Sequence, residues 1–196
     1  MVPRSASGAA ELGVVAQSTC PKCDSTSYEK NMLQIERIVA SQWQLLKELR
    51  CRALADAPFA FSGTLEEAKE RSDEDWVAWA ENCSHNPQTI MFIAYYDDKP
   101  CGMMGCRIVG EKNEIGELLA VWVAPEYRKL KVGQALLGAT KQWASRSYAQ
   151  VLHIWVAEQN TTAISFYKAV GSQITSQRQP FKSDTTQEEI LLTLQL

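Results

Sequence analysis

Residues 117–137, ELLAVWVAPEYRKLKVGQALL, have the composition of a binding site for a phosphorylated ligand. A hydrophobic run ends at a proline, and the turn after it carries Arg128, Lys129 and Lys131. A helix is predicted to start near Gly133. The first turn of a helix offers unpaired N–H donors and the positive end of the helix dipole, and both favour phosphate. The segment therefore predicts an anion site, with the three basic side chains as mobile cations around it.

The apolar residues after the turn follow the period of a helix with one buried face. They are Val132, Ala135, Leu136, Ala139 and Trp143.

Two common phosphate-binding patterns are excluded here. The string G-x-x-x-x-G-K-[ST] does not occur, and the dinucleotide fingerprint G-x-G-x-x-G fails because Gly133 is the only glycine of the turn.

A third pattern fits, and it carries a family resemblance. Residues 128–133 resemble the [RQ]-x-x-G-x-[GA] loop with which the GCN5-related N-acetyltransferase (GNAT) family binds the pyrophosphate of acetyl-CoA, except that Lys131 replaces the first glycine. Residues 151–171 resemble the second half of the family's signature, N-x-x-A-x-x-F-Y-x-x-x-G. The matching residues are Asn160, Ala163, Phe166, Tyr167 and Gly171. Both motifs occur in order, and the resemblance covers about residues 32–196.

The resemblance implies a fold and an activity. The fold is the α/β (α+β) acyl-CoA N-acyltransferase fold, a mixed and mainly antiparallel sheet with helices on both faces. The activity is transfer of an acetyl group from acetyl-CoA, as co-substrate, directly to a primary amine of an unidentified acceptor, either a small molecule or a protein. No metal is expected to take part.

The resemblance also implies which residues hold acetyl-CoA. The backbone of the predicted strand pairs with the pantetheine arm, and the loop and helix start hold the pyrophosphate. The implied residues are Val121, Trp122, Val123, Arg128, Lys129, Leu130, Lys131, Val132, Gly133, Gln134, Asn160 and Tyr167. The side chains of the two valines are also ordinary core residues, and Asn160 is equally suited to cap a helix.

Lys131 is the main departure from the family pattern. Glycine permits positive φ and close approach of the backbone to phosphate, whereas lysine resists that conformation and adds bulk. Lysine can also pair with a phosphate as a point charge. We expect weakened but retained affinity for acetyl-CoA.

Two residues are candidates for proton transfer. The resemblance implies that Tyr167 is the general acid that protonates the departing thiolate, although an aromatic core residue would also fit. Some members of the family carry a glutamate at the position of Trp155, which cannot accept a proton. Others use a glutamate at the position of Glu117, which is the candidate base. A solvent-facing acid at 117 and a water chain as the route for the proton are the alternatives.

The acceptor side has no comparable motif. Phe59 and Phe61 are expected to line it, although both are equally good core residues. The acceptor amine therefore cannot be identified from the sequence.

These motifs need a scaffold of strands and helices, which the apolar patterns supply. Ser72 is predicted to cap one of the helices. The predicted helices are 43–54, 65–69, 73–81, 131–147 and 160–170, and the predicted strands lie near 33–39, 89–96, 101–109, 115–123, 151–157, 173–177 and 188–195.

Length and composition indicate a single domain. Of 196 residues, we expect 1–31 to be a flexible leader and 32–196 to form the acetyltransferase domain. The 20 basic and 23 acidic groups are nearly balanced, which argues against a nucleic-acid partner. Neither a membrane span nor a signal peptide is recognisable, so we expect a cytoplasmic protein without membrane partners. A monomer and a homodimer both remain open.

Cys20 and Cys23 leave an alternative function open. Their spacing is that of half a zinc knuckle, but no second pair follows nearby. A zinc-dependent interaction protein is therefore one alternative to the enzyme. Another is a catalytically degenerate acyl-CoA-binding module, which Lys131 and Trp155 would explain.

Overall fold

A computed structural model of the chain describes residues 32–182 and 184–196. The predicted leader and the Cys20–Cys23 pair lie outside the described residues.

Seven strands form one sheet, in the order β1-β2-β3-β4-β5-β7-β6. The β4–β5 pair is parallel and every other neighbouring pair is antiparallel. The strands are β1 Leu33–Arg37, β2 Thr89–Tyr96, β3 Lys99–Val109, β4 Ile115–Val123, β5 Val151–Ala157, β6 Gln173–Phe181 and β7 Asp184–Gln195.

Five α-helices flank the sheet, and short 3-10 turns at 40–42, 58–60 and 125–127 lie between elements. The helices are α1 Trp43–Asp56, α2 Leu65–Glu70, α3 Asp73–His85, α4 Val132–Arg146 and α5 Thr161–Ala169. The predicted cap of α3 is confirmed, because the Ser72 side chain accepts a hydrogen bond from Asp75 N.

Two hydrophobic cores lie on opposite faces of the sheet. On one face, α4 and α5 pack through residues such as Leu136 and Tyr167 against the strands. On the other face, α1, α2 and α3 pack through residues such as Leu49 and Trp76. Adjacent side chains of β3 point to opposite faces of the sheet, as the alternation of a strand requires. Met103 lies in the second core and Met104 in the first. The predicted mixed sheet with helices on both faces is confirmed.

Within residues 32–182 and 184–196, no helix is long and apolar enough to cross a membrane. The same part of the chain contains no group of three or more His, Cys, Asp or Glu side chains placed to hold a metal ion.

Candidate active site

A gap between β4 and β5 forms the centre of the site. The two strands pair only through residues 115–117 and 151–153, although β4 continues to Val123 and β5 continues to Ala157. Beyond the last pair the strands diverge around a cavity of about 710 Å³. That volume lies within the range of small-molecule sites, roughly 300–1,000 Å³.

A β-bulge bends β4 where the cavity begins. Met103 pairs with Trp122 and Gly105 pairs with Leu119, so Ala120 and Val121 together face one residue of β3. Ala120 has a φ of 50°, in the left-handed region that an alanine seldom adopts. Bulges of this kind redirect a strand and interrupt its pairing. The bulge therefore leaves backbone groups of β4 exposed to the cavity.

Most of the residues that the sequence predicted for the site line this one cavity. Those that do are Phe59, Phe61, Val121, Trp122, Val123, Arg128, Lys129, Lys131, Val132, Gly133, Gln134, Asn160 and Tyr167. Leu130 and Glu117 are not among the lining residues. The structure thus brings both motifs, which are distant in sequence, to one site.

The start of α4 opens onto the cavity. Its first intrahelical hydrogen bond runs from Ala135 N to Lys131 O at 3.0 Å, so the N–H groups of residues 132–134 precede it. Lys131 caps the helix with φ 64° and ψ 10°, and Lys129 has φ 67°. Lys131 therefore adopts the left-handed conformation that the glycine of the resembled loop would allow at lower energetic cost.

Arg128 differs from the prediction of a mobile cation. Its Nε donates to Val123 O at 3.0 Å, and its Nη2 donates to the carboxylate of Asp56. The guanidinium thus holds the turn after β4 against the end of α1. Lys129 and Lys131 have exposed side chains, and neither has a salt bridge to the described residues.

Tyr167 is buried in the wall of the cavity, with 4% of its surface exposed. Its ring meets that of Phe166 edge-on, with 5.1 Å between centroids. Burial raises the pKa of the phenol well above its ordinary value. Its hydroxyl has no hydrogen-bond partner among residues 32–182 and 184–196. The phenol is therefore a protonated donor beside the cavity.

Asn160 caps α5, because its Oδ1 accepts a hydrogen bond from Ala163 N at 3.1 Å. The side-chain amide N–H groups have no acceptor within the described part of the chain. Capping therefore leaves the donor half of the side chain available to a ligand in the cavity.

Glu117 lies next to the cavity rather than in its wall. Its carboxylate pairs with Arg107, whose Nε donates to it at 3.1 Å, and the following residue, Leu118, is the first of β4 to line the cavity. The Glu117 carboxylate therefore does not line the space that a ligand in the cavity would occupy. The role of Glu117 as base stays a prediction.

Two features of the site had no signal in the sequence. Ala120 carries the bulge of β4, although no glycine marks it. Asp56 accepts hydrogen bonds from Trp122 Nε1, at 2.9 Å, and from Arg128, although it is separated from them by 66 and 72 residues. Neither feature follows from local pattern, because both depend on contacts across the fold.

The sequence profile of the Acetyltransferase (GNAT) family matches residues 47–171. The chain belongs to this family. The GNAT match includes both motifs around the cavity and most of the helical face on the other side of the sheet.

A curated relative shows how similar this chain is to a known enzyme in sequence. A mycothiol acetyltransferase from Thermobispora bispora is 33% identical over 128 residues, which is 63% of this chain and 40% of that protein. This chain spans about two fifths of the length of the curated relatives that it matches.

Solved acetyltransferase structures share the fold of this chain. A GNAT acetyltransferase from Streptococcus pneumoniae has a TM-score of 0.71 at 18% identity, covering 84% of this chain and 99% of that one. An acetyltransferase from Salmonella typhimurium, solved with its cofactor acetyl-CoA, has a TM-score of 0.69 at 16% identity, covering 84% and 94%. At these identities the likeness concerns the fold.

Proposed function

We propose that residues 32–196 form an N-acetyltransferase domain that transfers an acetyl group from acetyl-CoA to a primary amine. The observation that carries the proposal is the gap between β4 and β5. The cavity in this gap is lined both by the unpaired part of β4 and by the start of α4. An extended amide-bearing arm with a pyrophosphate at one end needs this combination of strand edge and helix start.

The residues present fit acetyl-CoA as the donor. The N–H groups of residues 132–134 and the cations of Lys129 and Lys131 would hold the pyrophosphate. The backbone of Val121 and Val123 and the side-chain amide of Asn160 would pair with the arm. Ala120 lines the cavity at the bulge, where backbone N–H donors of β4 would polarise the thioester carbonyl.

The proposed reaction needs two proton transfers. The amine nitrogen attacks the thioester carbonyl carbon, a C–N bond forms, and the C–S bond breaks. Tyr167 would give its proton to the sulfur, since burial keeps its phenol protonated and its hydroxyl has no hydrogen-bond partner among the described residues. Glu117 would take the amine proton through water, because its carboxylate is not in the cavity wall.

The acceptor would enter beside the turn after α1. Phe59 and Phe61 line the cavity there, on the side formed by α1–α3, and Phe59 is 45% exposed. An apolar surface with no carboxylate in it suits the uncharged form of an amine. The substrate in the name of the mycothiol acetyltransferase is not assigned to this chain, because the match covers only part of that enzyme.

The proposal is tested by binding and by turnover. Thermal unfolding is measured with acetyl-CoA, with CoA, and with NADPH as a phosphorylated control. Ligand at 100 times its dissociation constant stabilises a protein by about 2.7 kcal/mol. We expect stabilisation by acetyl-CoA and CoA but not by NADPH, followed by release of CoA thiol when a panel of primary amines is added.

The degenerate acyl-CoA-binding module is the second candidate, and the left-handed Lys131 is the observation that favours it. It predicts stabilisation by acetyl-CoA with no thiol release for any amine. Absence of stabilisation at millimolar acetyl-CoA would contradict both candidates.

A further inference from the structure

A second cavity, of about 260 Å³, lies among α1, α2 and α3. Its wall contains the guanidinium-bearing residues Arg50 and Arg71, the indoles of Trp76 and Trp79, and Glu67. It shares no lining residue with the cavity between β4 and β5. Neither motif of the acetyl-CoA site extends into it.

Arg50 and Arg71 have no salt bridge to an acidic side chain within residues 32–182 and 184–196. Neither guanidinium makes a hydrogen bond or a salt bridge within the described residues. Arg50 instead lies over the ring of Phe61 at 4.5 Å, and Arg71 lies over the rings of Trp76 and Trp79 at 5.2 and 5.4 Å. Aromatic faces hold the cations in place without using their N–H donors.

This arrangement is unfavourable for the protein alone. Burial, and next the positive charge of Arg71, lower the pKa of Arg50 to about 10. Arg50 is half-buried and Arg71 is exposed, so the cost falls mainly on Arg50, whose charge loses part of its hydration without a salt bridge to the described residues. An anion between the two guanidiniums would offset this lost hydration and the repulsion between the two charges.

Trp76 adds a further unpaired donor. Its side chain is 1% exposed, and its indole Nε1 has no hydrogen-bond partner in the described part of the chain. Leu54 and Ala68 complete an apolar side of the wall.

Glu67 is the one acid in the wall, and it is already engaged. Its Oε2 accepts a hydrogen bond from Thr64 N at 2.8 Å as part of the capping box of α2. It makes no salt bridge with either arginine. One negative and two positive side chains leave the wall net positive.

We propose that this cavity binds a small carboxylate with an apolar body, its carboxylate between Arg50 and Arg71 and its body against the indoles. The planar carboxylate matches the donor fork of arginine. The apolar body matches Leu54, Ala68 and the two tryptophans. The site is independent of the proposed acetyl transfer.

Benzoate is the probe, and benzamide is its neutral counterpart of the same shape. The full chain is titrated with each compound at constant ionic strength, and the indole N–H signals of the six tryptophans are followed by NMR. Trp76→Phe assigns the reporting signal. We expect saturable movement of the Trp76 signal with benzoate and none with benzamide.

Arg71→Gln is the informative variant, because Arg71 is exposed and its substitution removes one of the two guanidiniums without removing a buried side chain. We expect benzoate affinity to fall about tenfold or more. Lys69→Gln is the matched control, since it removes one positive charge from α2 outside the wall and should leave benzoate affinity unchanged. Both variants should bind acetyl-CoA as the wild type does.

Three results would overturn the proposal: equal effects of benzoate and benzamide, unchanged benzoate affinity in Arg71→Gln, or the same loss in both variants. The last would show attraction by net charge alone. None of these results would bear on acetyl transfer, which is measured separately by CoA release.

Discussion

The indole N–H of Trp122 donates to Oδ2 of Asp56 at 2.9 Å, which joins the end of β4 to the last residue of α1. Arg128 donates to the same oxygen. One carboxylate therefore connects the end of α1, the strand that lines the cavity, and the turn that leads to α4.

We expect Asp56→Ala to lower the free energy of unfolding by about 2 kcal/mol, because it leaves the buried Trp122 N–H without an acceptor. Urea unfolding measures the change. Glu81→Ala is the control, since Glu81 is an exposed acid on α3 without a salt bridge to the described residues. Equal effects of the two substitutions would contradict a structural role for the Asp56 carboxylate.

Lys131→Gly should raise the free energy of unfolding by about 1 kcal/mol, since the left-handed conformation at φ 64° is unfavourable for a side chain with a Cβ. Affinity for acetyl-CoA should rise as well, because we expect Lys131 to weaken the binding of acetyl-CoA by this loop. Lys131→Ala separates the effect of the lysine charge from that of the left-handed backbone, because it removes the charge but keeps a Cβ at this position. The idea of a weakened loop is wrong if the glycine variant binds acetyl-CoA no tighter than the wild type.

Tyr167→Phe should reduce kcat by ~10²-fold or more, as expected for loss of a general acid. Stability should change little, because the hydroxyl has no protein partner within the described residues. Tyr148→Phe, at a site 83% exposed, is the control. Unchanged turnover in the Tyr167 variant would remove this residue from the mechanism.

The pH profile gives a separate test of Tyr167. A general acid must be protonated, and burial raises the pKa of this phenol, so its protonated fraction persists to higher pH than that of an exposed tyrosine. We therefore expect no fall in kcat between pH 7 and about 10 from ionisation of this group. A fall in that interval that disappears in Tyr167→Phe would show that the phenol ionises there, which would contradict the raised pKa but not the role of Tyr167 as acid.

Glu117→Gln tests the proposed base. If Glu117 takes the amine proton through water, kcat should fall about tenfold or more at neutral pH and recover as rising pH deprotonates the amine directly. Arg107→Gln is the matched control, because it breaks the same ion pair but keeps the carboxylate. Equal losses in the two variants, with no recovery at high pH, would show that the pair is structural.

The sequence predicted the bounds of those elements in which the order of apolar and polar side chains marks both ends. β2, β4 and β5 have the predicted bounds, since each is a hydrophobic run between turn residues. α3 continues four residues past the predicted end at Glu81, to His85, because buried Cys83 extends its apolar face. β6 continues to Phe181 through mostly exposed polar residues, because its ladder with β7 holds it, and the ladder is not visible in local pattern.

The same distinction applies to the site. The motifs predicted that the loop, the start of α4 and Tyr167 belong to one site, and all three line the same cavity, because each has a characteristic residue at a fixed spacing. The bulge at Ala120 and the hydrogen bonds to Asp56 were not predictable, because both arise where distant segments meet. The position of Glu117 outside the cavity wall likewise depends on the pairing of β4 with its neighbours.

The short pairing of β4 with β5 also bears on how the domain unfolds. Three residue pairs join β5 and the β6–β7 hairpin to the rest of the sheet, so backbone hydrogen bonds contribute little to holding the two parts together. Side-chain packing around α4 and α5 supplies the remaining connection. We expect the two parts to be separate cooperative units in native-state hydrogen exchange, and a ligand bridging the gap would merge them into one.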